Sequence, residues 1–158
     1  ILSFYSAYKL RDYVGLNIFL FIILICVFTD IGGFVFGKLL KGPKFTKISP
    51  NKTYFGVLGS FITPTLIGFI YYKYMTLQID IISPLKLMEV SSNHDFIIIL
   101  IILFISLISQ VGDLIISYFK RLAKVKDTGK ILPGHGGLLD RVDGLIFVVP
   151  IYYLFIVV

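Results

Sequence analysis

Fourteen consecutive residues at 96–109, FIIILIILFISLIS, contain no charge and no polar group larger than a hydroxyl. A second run of the same length, LIFVVPIYYLFIVV, closes the chain at 145–158. Runs of this kind dictate the solvent, because a helix needs roughly 20 apolar residues to cross about 30 Å of hydrocarbon. Four apolar segments are drawn on this basis: residues 13–36, interrupted by Asp30 and Gly32-Gly33; residues 55–74, with Pro64 inside; residues 95–119, containing Asp113; and a last one from about residue 142 to the C-terminus, with Pro150 inside. Backbone groups in lipid must be satisfied within the segment, so helices are expected. The period-2 alternation of a membrane barrel is absent. The expected fold class is all-α, a polytopic integral membrane helical bundle with about four transmembrane helices.

Composition agrees. Of 158 residues, 57% are apolar, and the mean hydropathy of +0.92 excludes an ordinary soluble domain. The net charge of +6 does not indicate a nucleic-acid partner: the aromatics lie inside the apolar segments and the basic residues between them, the opposite of an interleaved binding surface. Cys26 is the single cysteine, which removes disulfide frameworks and multi-cysteine metal sites from consideration. Its mid-segment position reads as a buried, inert thiol. The chain opens at Ile1 with no charged region and cleavage site, so the start is not read as a signal peptide, and further sequence is expected upstream.

The connecting segments differ in charge. Residues 38–53 hold five lysines and no acid; residues 75–94 hold Lys86 against Asp80 and Glu89; residues 120–143 hold Lys120, Arg121, Lys124, Lys126, Lys130 and Arg141. The two basic segments take 11 of the chain's 15 lysines and arginines, which assigns both to the cytoplasmic side and the middle one to the outside, with Lys9 and Arg11 as dissenters. In that topology Asp30 lies late in the first helix. Asp113 stands seven residues before Lys120, roughly 10 Å below the same surface. Two intramembrane carboxylates then converge beneath both basic segments.

Such an acid is costly in lipid, on the order of 2.5–3.5 kcal/mol at the helix centre, and is a functional candidate by default. For Asp113 the plainer account is an ion pair with Lys120 or Arg121 on its own helix. Asp140 and Asp143 are spaced three apart where the last helix begins, as cap residues favoured by the dipole or as hard oxygen ligands for Mg²⁺. Asp127 precedes them. The run Pro133-Gly134-His135-Gly136-Gly137 can bring backbone N–H groups close to an anion or can serve as a tight turn. It is neither a P-loop nor a dinucleotide motif. His135 suits a phosphate donor, a general acid or a structural donor equally; His94 has no partner in view. The stretch KISPNKT at 47–53 fits attraction to anionic head groups in its lysines, and less well in Ser49, Pro50 and Thr53. No zinc cluster and no nucleophilic triad is present. The residues alone indicate a membrane protein whose cytoplasm-facing site suits metal-assisted phosphoryl or nucleotidyl transfer.

The spacing Ser117-x-Phe119-Lys120-Arg121, then Lys126-Asp127-x-Gly129, then Leu132-Pro133-x-His135-Gly136-Gly137-Leu138-x-Asp140-Arg141-x-Asp143 resembles the signature of the phosphatidate cytidylyltransferases, or CDP-diacylglycerol synthases. Two weaker blocks agree in order: Asp30-x-Gly32-Gly33 with Gly37-Lys38, and Ile48-Ser49-Pro50-x-Lys52-Thr53. One departure is visible, since Tyr54-Phe55-Gly56 stands where the family usually has an aromatic, an acid and Gly.

The resemblance implies transfer of CMP from CTP to phosphatidate, with Mg²⁺ and room for a second, monovalent cation. It implies Asp113 and Asp140 as first metal ligands, with Asp143 and Asp127 in support, and Asp30 orienting the site. Lys120, Arg121, Lys126 and Arg141 would hold the triphosphate and the lipid phosphate. Ser117, His135, Gly136 and Gly137 would shape the pocket, and Ser49, Lys52 and Thr53 would close it. Residues 1–158 would be a single membrane domain forming the C-terminal part of an enzyme in the bacterial inner membrane. Its partners would be CTP, phosphatidate and membrane lipids, with a homodimer as one assembly. A CTP-dependent transferase with another lipid acceptor and, further off, a transporter or channel are the alternatives.

Overall fold

The computed structural model describes residues 2–46, 52–79, 92–125, 128 and 142–157. Five helices account for nearly all of them: α1 (Leu2–Val14), α2 (Leu16–Leu40), α3 (Tyr54–Ile79), α4 (Ser92–Leu122) and α5 (Asp143–Val157). Three of these, over Leu16–Leu40, Tyr54–Met75 and His94–Leu122, are long and apolar enough to cross a membrane. The fourth expected span, α5, is apolar but 15 residues long as described. The first expected segment also begins differently. Gly15, at φ +86°, breaks the helix there, so Tyr13 belongs to α1, a shorter helix that hydropathy alone did not reveal. Helices α3 and α4 extend past their apolar cores through polar residues, because backbone hydrogen bonding continues where hydropathy falls.

Leu10 of α1, Ile22, Ile25 and Cys26 of α2, Ile102, Ile105 and Ile108 of α4, and Val148 and Val149 of α5 form one buried cluster. Ser3 ties α1 to α5 by donating from its hydroxyl to the Ile146 carbonyl at 3.0 Å. Since lipid chains are as apolar as leucine, burial alone does not hold such helices together; close packing and interhelical hydrogen bonds do. Helix α3 uses both. It runs antiparallel to α2 with backbones almost in contact: a Cβ on Gly59 would lie 2.6 Å from the Gly32 carbonyl oxygen, and one on Gly32 would overlap the Thr63 side chain. Thr63 donates across this seam to the Phe28 carbonyl at 3.1 Å.

Pro64 sits inside α3 and has no N–H to give to the carbonyl of Ser60, four residues earlier. Helix α4 supplies the missing donor, since the fully buried Ser106 hydroxyl donates to the Ser60 carbonyl at 2.6 Å. At the far end of the same pair, Lys73 Nζ lies 2.8 Å from both carboxylate oxygens of Asp95 and packs over the Phe69 ring. Helices α2 and α4 therefore run the same way, and the C-terminal ends of α2 and α4 meet the N-terminal ends of α3 and α5.

Ser106→Ala removes the donor and leaves the Ser60 carbonyl unpaired in an apolar setting. A loss of about 1–2 kcal/mol is expected, read as a lowered Tm in detergent. Ser106→Thr, which keeps the hydroxyl, is expected to recover most of it.

Candidate active site

The approach to α3 is built so that one lysine arrives at a fixed place. Helix α2 ends at Lys41 in the left-handed conformation, and the chain doubles back. Phe45 N–H donates to the Lys52 carbonyl at 2.7 Å, and Tyr54 N–H donates to the Pro43 carbonyl at 3.2 Å. Lys44 and Thr53 form an antiparallel bridge, with the Phe45 and Tyr54 rings edge to face at 5.2 Å. Thr53 then caps α3, its Oγ1 accepting from Gly56 N–H at 3.1 Å. Lys52 immediately precedes that cap.

From there the Lys52 ammonium reaches α4 and forms an ion pair with the Asp113 carboxylate. Both side chains are about three-quarters withdrawn from solvent. The plainer account of Asp113, an ion pair with Lys120 or Arg121 on its own helix, is not what the fold forms. Asp113 pairs with α3's lysine instead, and Lys120 Nζ lies 3.8 Å from Asp143 Oδ2 on α5, while Arg121 is exposed. Helical spacing explains this: seven or eight residues separate the groups by more than 10 Å along the axis, beyond direct side-chain contact.

Asp143 is only 7% exposed, a degree of burial at which a carboxylate must be paired. Its Oδ1 accepts from Gly144 N–H at 3.1 Å, and its carboxyl group lies beside that of Asp113. Asp30 of α2 is within electrostatic range of both Asp113 and Lys52. Three carboxyl groups and two ammonium groups, from α2, the start of α3, α4 and α5, thus share one end of the bundle. Ser117 is half-buried one turn beyond Asp113, on the way to Lys120. Ser49, Lys126, Asp127, His135, Gly136, Gly137, Asp140 and Arg141 lie outside the described residues.

Two carboxyl groups in contact repel each other unless a cation or a proton stands between them. Among the described residues no three His, Cys, Asp or Glu side chains close into a metal-holding cluster. The donors that do meet, Asp113 and Asp143, offer hard oxygens. Mg²⁺ is ordinarily bound by one or two carboxylates together with substrate phosphates, so this pair fits the protein's share of such a shell.

A carboxylate pair flanked by two lysines at the end of an apolar bundle is a setting for polyanion chemistry, and comparison with known proteins agrees. The profile of the cytidylyltransferase family matches residues 1–158. The chain belongs to that family. It is 36% identical over 151 residues to the phosphatidate cytidylyltransferase of Staphylococcus epidermidis, covering 95% of this chain and 52% of the relative. The enzymes of the same name from Staphylococcus haemolyticus and Staphylococcus aureus are 36% identical over 138 residues and 35% identical over 151 residues, covering 87% and 95% of this chain and 48% and 52% of those relatives. The chain spans about half the length of the curated relatives it matches.

Sequence reasoning placed Lys52 in a loop closing over the pocket, whereas the fold brings it onto the central carboxylate. The signal was present in the excess of lysine over acid in residues 38–53 opposite an uncompensated Asp113. A double-mutant cycle of Lys52→Met and Asp113→Asn is expected to give a coupling of about 1–2 kcal/mol in detergent stability, with the double variant more stable than Lys52→Met alone. Additive losses in Tm would remove the pair from the account.

Proposed function

We propose that the full-length protein transfers CMP from CTP to phosphatidate, giving CDP-diacylglycerol and pyrophosphate. The observation that carries this is the junction of Asp113, Asp143, Lys52 and Lys120 at one end of an apolar bundle, in a chain of the cytidylyltransferase family. A lipid substrate reaches such a site from the bilayer and a nucleotide from the water beside it. The two basic connections adjoin this end, which favours the cytoplasmic face of the inner membrane.

In the reaction a phosphatidate phosphate oxygen attacks the α-phosphorus of CTP. A new P–O bond forms, the bond to the β-phosphate breaks, and pyrophosphate departs with the electron pair. The attacking oxygen is already anionic, so no residue has to remove a proton. The difficulty is bringing two polyanions together, and fixed positive charge in a poorly solvated site meets it. Lys52 and Lys120 would hold the phosphates, with the exposed Arg121 beside them, and Lys126 and Arg141 would add positive charge from the connection that follows. Asp113 and Asp143, joined by Asp140 and Asp127 from the adjoining segment, would hold Mg²⁺. When bound, that ion would neutralise phosphate charge and polarise the phosphoryl oxygens. Ser117 and the Gly136-Gly137 pair would border the nucleotide, with His135 donating to a phosphate, while Ser49 and Thr53 would enclose the site from the first basic connection.

The deciding experiment follows CDP-diacylglycerol formation by full-length protein in detergent, with Mg²⁺ and with chelator. Product that requires Mg²⁺ is expected, and Asp113→Asn is expected to lower kcat by about 10³-fold or more, far beyond what the modest fall in Tm from the broken Lys52 pair accounts for. Turnover that survives both chelation and Asp113→Asn removes the metal assignment. Turnover with CTP only when another lipid phosphate replaces phosphatidate would move the reading to that acceptor.

A further inference from the structure

Each carboxylate of the central pair has a glycine beside it in the chain, and the two glycines form a reciprocal contact. Gly112 precedes Asp113 on α4; Gly144 follows Asp143 on α5; both are buried. The Phe147 ring of α5 lies over Gly112, where an added Cβ would come 2.8 Å from Cδ2 and 3.2 Å from the Phe147 Cβ. The Ser109 hydroxyl of α4 lies over Gly144, where an added Cβ would overlap Oγ. Each helix thus presents a side chain to the bare backbone of the other, at the level where Asp113 and Asp143 meet.

Ser109 has an uncommon setting for a hydroxyl. It is fully buried, and among the described residues its Oγ has no hydrogen-bond partner of ordinary geometry, with the Cys26 thiol among its polar neighbours. A buried hydroxyl without a partner lowers stability, so cohesion of the bundle does not account for a serine here. Its fit against Gly144 does, since its Oγ fills the space that Gly144 leaves open. Ser109 also lies one helical turn from Asp113, on the same face of α4.

We propose that Gly112 and Gly144, with Ser109 and Phe147 seated on them, act as positioning residues: this α4–α5 clasp sets the separation of the Asp113 and Asp143 carboxyl groups and thereby the affinity of the pair for a divalent cation. The inference rests on the metal-assisted transferase reading above. Neither glycine touches substrate, and both act through the aspartate next to them. Gly144→Ala is the informative change because alanine is the better helix former. Any loss it causes then comes from the collision with Ser109.

The test uses full-length protein in detergent. Mn²⁺ binding is followed by electron paramagnetic resonance, alongside the kinetics of CMP transfer and Tm. Gly144→Ala is expected to weaken Mn²⁺ binding about 10-fold or more, as loss of a supporting contact does at metal sites. It is expected to lower kcat by about 100-fold with KM for CTP changed less than about threefold, the pattern of misplacement on the order of 1 Å. Tm should stay near the wild-type value. Adding Ser109→Ala removes the colliding oxygen and leaves the new Cβ at an ordinary 3.5 Å from the Ser109 Cβ, so the double variant should recover both Mn²⁺ affinity and kcat.

Phe147→Leu withdraws the ring from Gly112 without adding atoms and should shift Mn²⁺ affinity in the same direction by less. Wild-type Mn²⁺ affinity and kcat in Gly144→Ala, or a loss that Ser109→Ala fails to recover, overturns the clasp. If Gly144→Ala does not fold, unchanged Mn²⁺ affinity in Phe147→Leu overturns it. A wild-type protein that binds Mn²⁺ but transfers no CMP overturns the transferase reading alone, and the affinity comparison still decides the clasp.

Discussion

A charge placed among apolar helices has to be answered by another charge, and the arrangement of this bundle follows from that requirement. Asp113 lies within an apolar helix that has no cation close enough to reach it. Lys52 satisfies it, and for that the turn between α2 and α3 must close tightly and α3 must begin beside α4. Asp143 is buried deeper still and draws Lys120 towards α5. The two pairs cross between helices, so the charged cluster also joins the elements that carry it. Removing a lysine would leave a carboxylate in an apolar setting, which costs far more than the pair contributes in water.

The glycine seam between α2 and α3 is the second requirement. It lets two backbones approach so closely that Thr63 can donate to a carbonyl of the neighbouring helix. Asp30, two residues before Gly32, is carried by this contact to within range of Asp113 and Lys52. Small residues in a membrane helix are often read as weak points. Here they bring an acid on α2 and a lysine at the start of α3 towards the same carboxylate on α4.

Much of this was legible from the chain. The apolar runs located the three long helices to within a few residues. The lysine-rich connections predicted that Asp30 and Asp113 share one end, and the fold agrees. The spacing from Ser117 to Asp143 by itself resembles the cytidylyltransferase signature. Three things were not legible. Helix α1 mixes Lys9, Arg11 and Asp12 with apolar residues, and it packs on α2 and α5 with Ser6 and Leu10 buried, which its local pattern does not announce. The partner of Asp113 was not legible, because helical periodicity offers only candidates on the same helix and carries no information about which residue a folded-back connection will deliver. The value of Ser106 depends on Pro64, 42 positions earlier in the chain, and no local pattern links the two.

That last link has a mechanical consequence. A proline normally makes a helix pliable at the point where its hydrogen bond is missing. In α3 the vacated carbonyl is taken up by the neighbouring helix, so the weak point becomes an anchorage. A second fastening, Lys73 to Asp95, lies farther along the same two helices. Fastened at both places, α3 resists rotation and sliding along α4, and the ammonium of Lys52, one residue ahead of the helix cap, inherits that stiffness. The cation that answers Asp113 is therefore mounted on the end of a braced rod rather than on a free-swinging loop.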